Sequence, residues 1–465
     1  MELRFTDGVT TIRILPTGGE AVLKRYTPQA PEIDPVDTGG ATMDGGERPL
    51  APYRNVSEQI DLVWEGTPAA QRASIKALNL LLQTARRYQR TGMGPRVYVE
   101  FRPDDAEDWW RSEVLSGRAL VDDADLDFDL QLVTEGLEGL VVYTRRFYWE
   151  GPEAQIPLTN GNGTDDIAGL TVYNHDDGDA GDDNYVAIAA AAVAGDLPAP
   201  PRLEMTNTYN SATRADRVFV GHNAYSAPAT LTHILEAEDA SGGTPTAHAT
   251  ASAGEYNALS WAVTTETQLL DWTLSTAMLN ALAGNYAHLL LRLYNTTIYT
   301  DLWLRVRIKF EVSTIWEGPA LLARANRILQ DLGTVQLPPY LLGAGDLYPL
   351  HLVLYGTRAQ AGTHTLNVDF LQVAPADGWR KLQPKGYGLG YEARLMDDMI
   401  GGALYTDSWA TAGKVGNYIG YGGAIMLAPG RAQRLYFLWD TTVGGAGIDR
   451  TLSVKAYYRP RRLTL

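Results

Sequence analysis

Chemistry in this chain would have to come from carboxylates, histidines, hydroxyls and aromatic rings, because the sequence contains no cysteine. That absence excludes disulfides, thiolate metal sites, iron–sulfur centres and a cysteine nucleophile. The densest oxygen cluster is His175-Asp176-Asp177-Gly178-Asp179-Ala180-Gly181-Asp182-Asp183-Asn184. Hard cations such as Ca²⁺ take six to eight oxygens, and closely spaced aspartates around glycine can supply them. Asp177, Asp179, Asp182 and Asp183 are the candidate ligands. Gly181 stands where an EF-hand would place a third ligand and the closing Glu is missing, so a solvated turn competes with a bound cation. A second acidic pattern, Asp125, Asp127 and Asp129, alternates with apolar Leu126, Phe128 and Leu130. It reads as one exposed strand face, or a docking face for a basic partner.

Catalytic signatures are lacking. Histidines 175, 222, 233, 248, 288, 351 and 364 form no HxH, no HExxH and no i,i+4 pair. The chain has no GxSxG elbow and no GxxxxGK[ST] phosphate loop. No catalytic residue, resident metal or cofactor is therefore assigned, and the chain reads as a non-enzyme. Aromatic rings offer binding chemistry instead. Trp261, Trp272 and Trp303 could stack on sugar rings. Trp109 and Trp110, Tyr457 and Tyr458, and the basic end Arg459, Arg461 and Arg462 have the side-chain types favoured at subunit contacts.

Charge is distributed unevenly. The whole chain carries −16, yet residues 101–200 alone hold 22 Asp+Glu against five Arg, a net of −17. Residues 376–465 run the other way, with 12 Lys+Arg against seven acids. This argues against a broad nucleic-acid-binding face and suits a building block with unlike neighbours at its two poles. No apolar segment approaches the ~20 residues of a membrane span, and the first residues have no signal-peptide core.

Three stretches must position these groups. Residues 1–150 mix strands with one strong helix. Thr67 is a suitable N-cap, Pro68 a first-turn proline, and Ile75, Leu78, Leu81, Leu82, Ala85 and Tyr88 follow helical spacing up to Gly92. About 23 residues give a helix on the order of 35 Å. Strands are expected at 56–64, 96–102, 126–133 and 139–149. Residues 28–52 form a Pro/Gly-rich arm, longer than a compact domain ordinarily needs. Residues 151–375 read as many short strands, hence one β-sandwich or jelly roll, with a short helix near 273–282. Residues 376–465 form a further β segment that could complete the sandwich or meet a neighbour.

The order strand, long arm, strand, helix and further strands resembles the distal tail (Dit-like) family of phage tail-tip proteins. So do the phrases Gly195-Asp196-Leu197-Pro198-Ala199-Pro200, Arg202 to Asn207, and Leu366-Asn367-Val368-Asp369-Phe370-Leu371. The resemblance implies a mainly β chain: an N-terminal α+β belt domain, then a jelly-roll or galectin-like sandwich. It further implies a homo-oligomeric ring, expected to be a hexamer, in the virion tail, assembled in the host cytoplasm with tube and hub proteins. DNA would be a passing, unbound cargo. The segment 376–465 exceeds what a minimal family member needs. The alternative readings are a host-surface carbohydrate adhesin and, behind it, a polysaccharide-degrading enzyme.

Overall fold

A computed structural model describes the chain except residues 34–52, 122–136, 165–168, 176–181, 209–213, 224–233, 249–250, 283–285, 295–298, 325–326, 338–348, 376–377, 385–387, 400–403, 409–410, 416–417 and 441–450. The expected strand at 126–133 and the face Asp125, Asp127 and Asp129 lie outside the described residues. The protein is mainly β. It divides into one unit of Met1–Glu153, Gly195–Leu197 and Arg459–Leu465, and another of Ala154–Ala194 and Pro198–Tyr458.

In the first unit, Val56–Trp64 alternates buried and accessible side chains along its whole length, the signature of a sheet with one face in a core. It pairs with Ala21–Tyr26 on one side and Leu137–Arg145 on the other. Leu137–Arg145 also pairs with Trp110–Val121, which pairs onward with Tyr98–Arg102. Glu2–Thr6 and Thr11–Leu15 complete the order, so the sheet closes on itself. Closure removes the unpaired edges that an open sheet would present.

The helix runs Pro68–Thr91, with Thr67 as N-cap accepting from the Ala70 amide and Gly92 as a left-handed C-cap at φ 66°. Its caps and apolar stripe act as the sequence reading expected. Leu78, Leu81, Leu82 and Ala85 join Leu3, Phe5, Ile14, Ile60 and Val141 in one core. Gly117 makes the close approach possible: a Cβ there would lie 2.9 Å from Tyr143 Cβ and 3.0 Å from Leu82 Cδ2.

The second unit contains two sandwiches where the sequence reading expected one. Two seven-stranded sheets share a core of Leu170, Val172, Met205, Val220, Phe437 and Val454. Their strands come from both sides of a long insertion. Thr451–Tyr458 pairs with Leu170–Tyr173 and Arg202–Asn207, and Gln433–Trp439 pairs with Tyr185–Ile188 and Val218–Asn223. Residues 234–375 form the inserted sandwich, a six-stranded and a five-stranded sheet over Leu259, Leu270, Leu291, Val306, Leu354 and Val368. Its short helix is Thr276–Leu282. Strand periodicity shows which residues are strands. It does not show that strands about 250 positions apart are partners, which is why one sandwich was expected.

A small apolar patch of Phe219, Leu290, Leu329, Phe370 and Leu438 joins the two sandwiches. Buried and half-buried polar groups surround it. Arg217 donates to Asp440 from Nε at 3.0 Å and Nη2 at 2.7 Å, Lys381 pairs with Asp331 at 2.7 Å, and His288 stacks on Trp379 with centroids 4.0 Å apart.

Candidate assembly site of the N-terminal unit

Sequence reading singled out the arm 28–52 but not what anchors it. Residues 34–52 lie outside the described residues; residues at both ends of the arm are described. At its root, the Glu58 carboxylate accepts from Tyr26 Oη at 2.8 Å, from the Gln29 amide at 2.8 Å and from Arg145 Nη2 at 2.7 Å. Tyr143 Oη donates to the same carboxylate. Arg145 Nη2 also donates to the Gln29 carbonyl at 2.8 Å, and its guanidinium lies 4.3 Å from the Trp149 ring centre. Glu58 and Arg145 side chains are both fully buried. Burial and the Glu58 charge push the Tyr26 and Tyr143 phenols well above their ordinary range, so both remain neutral donors.

Beyond Gln29, the two ends of the arm are tied to each other. Ile33 bridges Tyr53, and the Arg54 amide donates to the Glu32 carbonyl at 3.0 Å. Tyr53 stacks on Phe147 with centroids 5.5 Å apart. An open cavity of about 360 Å³ lies at the root, lined by Arg25, Thr27, Gln29, Ser57, Gln59 and Asp61 among others. Glu58 and Arg145 were missed because a lone acid at 58 and a lone base at 145 carry no local motif. The available signal was a charged residue on the apolar phase of an alternating strand.

The candidate contact residues at the end of the chain converge on a second cluster. Arg461–Arg462 pairs with Trp149–Glu150 as the last strand of the first unit's sheet. Arg461 donates to Glu150 Oε1 from Nε at 3.2 Å and Nη2 at 2.9 Å, and its guanidinium lies 4.0 Å from the Tyr148 ring centre. Arg462 covers Trp110 at 4.5 Å, and Trp110 is buried. Arg459 Nη1 donates to the Gly151 carbonyl at 3.0 Å. Trp109 lies under Arg4 at 4.0 Å and Arg102 at 5.1 Å. Of these side chains, Trp110 and Arg461 are buried by their own chain and have no face left for a neighbour. In the second unit Tyr458 is buried and accepts from the Ala194 amide at 2.8 Å, while Arg202 covers Tyr457 at 4.1 Å.

The sugar-stacking candidates separate. Trp261 and Trp272 are core residues at 7% and 2% exposure, with Trp272 Nε1 donating to the Glu236 carbonyl at 2.8 Å. A stacking platform needs an open ring face, and burial removes both from it. Trp303 is 44% exposed on Leu302–Phe310, the strand that also carries Arg305, Arg307 and Lys309.

In the acidic loop, Asp177 and Asp179 lie outside the described residues. Asp183 is buried and its carboxylate accepts from the Gly161 amide. Asp182 Oδ2 lies 3.6 Å from His175 Nε2. Burial, helped by the charge of Arg292, lowers the His175 pKa to about 3 and keeps the ring neutral. Among the described residues no group of three or more His, Asp and Glu is arranged to hold a metal ion.

No protein-family profile matches the chain, and no curated protein matches it. Solved structures similar to it include the Dit protein of phage SPP1, described as a paradigm of the hub adsorption apparatus in phages infecting Gram-positive bacteria. That match has 9% identity and a TM-score of 0.32, covering 99% of this chain and 98% of the other. A chain of the phage P2 baseplate in its activated conformation with Ca matches at 8% identity and a TM-score of 0.27, over 47% of this chain and 71% of that one.

Proposed function

We propose that this chain is a structural component of a phage tail, at the distal tail, tail tip or baseplate hub, and forms a homo-oligomeric ring around the tail channel. The observation that carries the reading is the root of the arm. A fully buried ion pair, two tyrosines and a backbone bridge are all committed to fixing where one segment leaves a closed sheet. Desolvating two charges costs several kcal/mol per ion unless hydrogen bonds offset it, and a loose surface loop needs no such foundation. An arm that must reach a neighbour in a fixed direction does. On this reading Trp109 and the arm contact adjacent copies, tube and hub proteins are the axial partners, and the acidic stretch 101–200 repels passing DNA.

Native mass measurement with electron microscopy of the purified protein tests this. A closed ring is expected, and a monomer at every concentration overturns it. The exposed Trp303 favours a second reading, a host-glycan adhesin. A glycan array probed with the whole protein and with Trp303→Ala tests that reading, which fails if no glycan distinguishes the two.

A further inference from the structure

The helix Pro68–Thr91 contains five bases, Arg72, Lys76, Arg86, Arg87 and Arg90, and not one acid, in a chain whose net charge is −16. All five are exposed: Lys76 and Arg87 lie opposite the buried Leu78, Leu81, Leu82 and Ala85, and Arg72, Arg86 and Arg90 flank them on one side of the same accessible surface. Leu80 is 63% exposed in their midst, with Lys76 one turn before it and Arg87 two turns after. Among the described residues, Lys76, Arg86, Arg87 and Arg90 form no ion pair. A cationic stripe around an apolar side chain has the form of a contact face, with a central anchor and a charged rim.

The same unit carries the complementary patch. The turn between Tyr98–Arg102 and Trp110–Val121 presents Asp104, Asp105, Glu107 and Asp108, all exposed. Among the described residues, only Asp105 of these four has a cation, Arg102 at 2.9 Å. The helix hands over to the beginning of Tyr98–Arg102, whereas the acidic turn leaves from its far end. Five residues of strand, about 16 Å, intervene.

We infer that the cationic face of the helix docks on the acidic turn 104–108 of a second copy of this chain. Two unlike complementary patches on one unit can engage different neighbours head to tail, and head-to-tail contacts generate rings when the rotation closes. The same patches met reciprocally across a two-fold axis would give a dimer, which the measured assembly mass distinguishes. The inference therefore rests on the ring reading and supplies its contact. DNA is the weaker occupant, because a chain of net charge −16 repels a phosphate backbone outside one stripe.

The test uses charge reversal in the full chain and sedimentation as readout. One variant carries Arg86→Glu, Arg87→Glu and Arg90→Glu. A second carries Asp104→Lys, Glu107→Lys and Asp108→Lys, and a third chain combines both sets. Each single set should weaken association by about tenfold or more per interface. The combined chain should reassemble, and so should an equal mixture of the two single-set proteins. A milder variant, Arg87→Gln with Arg90→Gln, should move in the same direction with an unchanged helical signal and unfolding midpoint.

If the wild type itself is monomeric, the ring reading fails and this contact with it. If the wild type assembles but reversal has no effect, or the combined chain stays apart, the contact is overturned while the ring stands. Loss of binding to a 30-base-pair DNA duplex on reversal at the helix, with assembly intact, likewise overturns it.

Discussion

Arg145 Nη2 lies 2.7 Å from Glu58 Oε1, with neither side chain exposed to solvent. The two residues are 87 positions apart and sit on paired strands, two rungs off register: Glu58 is opposite Tyr143, and Arg145 is opposite Val56. That offset lets one guanidinium span the Glu58 carboxylate and the Gln29 carbonyl, tying a strand to the departing arm.

Removing one partner should be far more damaging than the worth of the pair itself, because the other charge stays buried alone. Arg145→Leu should lower the stability of the first unit by about 3–5 kcal/mol. Tyr143→Phe removes one charge-assisted hydrogen bond and should cost about 1.5–3 kcal/mol. Denaturant titration followed by tryptophan fluorescence reads both. A loss below about 1 kcal/mol for Arg145→Leu would remove the rationale for an anchored arm.

Gly195 has φ +112°, and a Cβ there would lie 2.6 Å from the Arg461 carbonyl oxygen and 2.9 Å from its amide nitrogen. The Asp196 amide donates to that carbonyl at 2.7 Å. Gly195→Ala should therefore displace the final strand and cost about 1–3 kcal/mol. Limited proteolysis should release residues 459–465 faster from the variant than from wild type, and equal rates would show that the strand tolerates the side chain.

Burial, joined by the charges of Asp239, Asp369 and Glu255, raises the Glu238 pKa from 4.5 to about 7. Asp369, fully buried, is raised to about 6 by desolvation against the opposing pull of Arg292. Between pH 4.5 and 7 the folded chain thus holds a proton on Glu238 that the unfolded chain has lost. Stability through this group falls as pH rises across that window and is level above it. Glu238→Gln, neutral throughout, should have the wild-type unfolding midpoint at pH 4 and a higher one at pH 8. A constant offset at both values would mean that Glu238 does not titrate in this way.

Trp272 and Trp303 lie on different strands of one five-stranded sheet but differ in environment. Trp272→Ala should cost about 3–5 kcal/mol, since it empties a core position and orphans the Glu236 carbonyl. Trp303→Ala should stay within about 1 kcal/mol of wild type, because its ring is 44% exposed. Paired denaturation curves decide this directly.

The sequence by itself determined what local physics governs. Thr67, Pro68 and Gly92 bounded the helix because capping and a left-handed stop are properties of a few adjacent residues. Alternation over residues 96–102 placed Tyr98–Arg102, and composition located the acidic stretch and the arm. The acid-free helix was equally present in the sequence, since residues 68–91 contain no Asp or Glu. Tertiary structure decided the rest. Only pairing across hundreds of residues divides the later chain into two nested sandwiches, brings Arg461 to Glu150, and buries Trp261 and Trp272 while leaving Trp303 open. A tryptophan's type is written in the sequence, but its exposure depends on which strands cover it. Glu58 and Arg145 show the same limit: each is an ordinary charged residue until the sheet closes and buries them against each other, two tyrosines and the root of the arm.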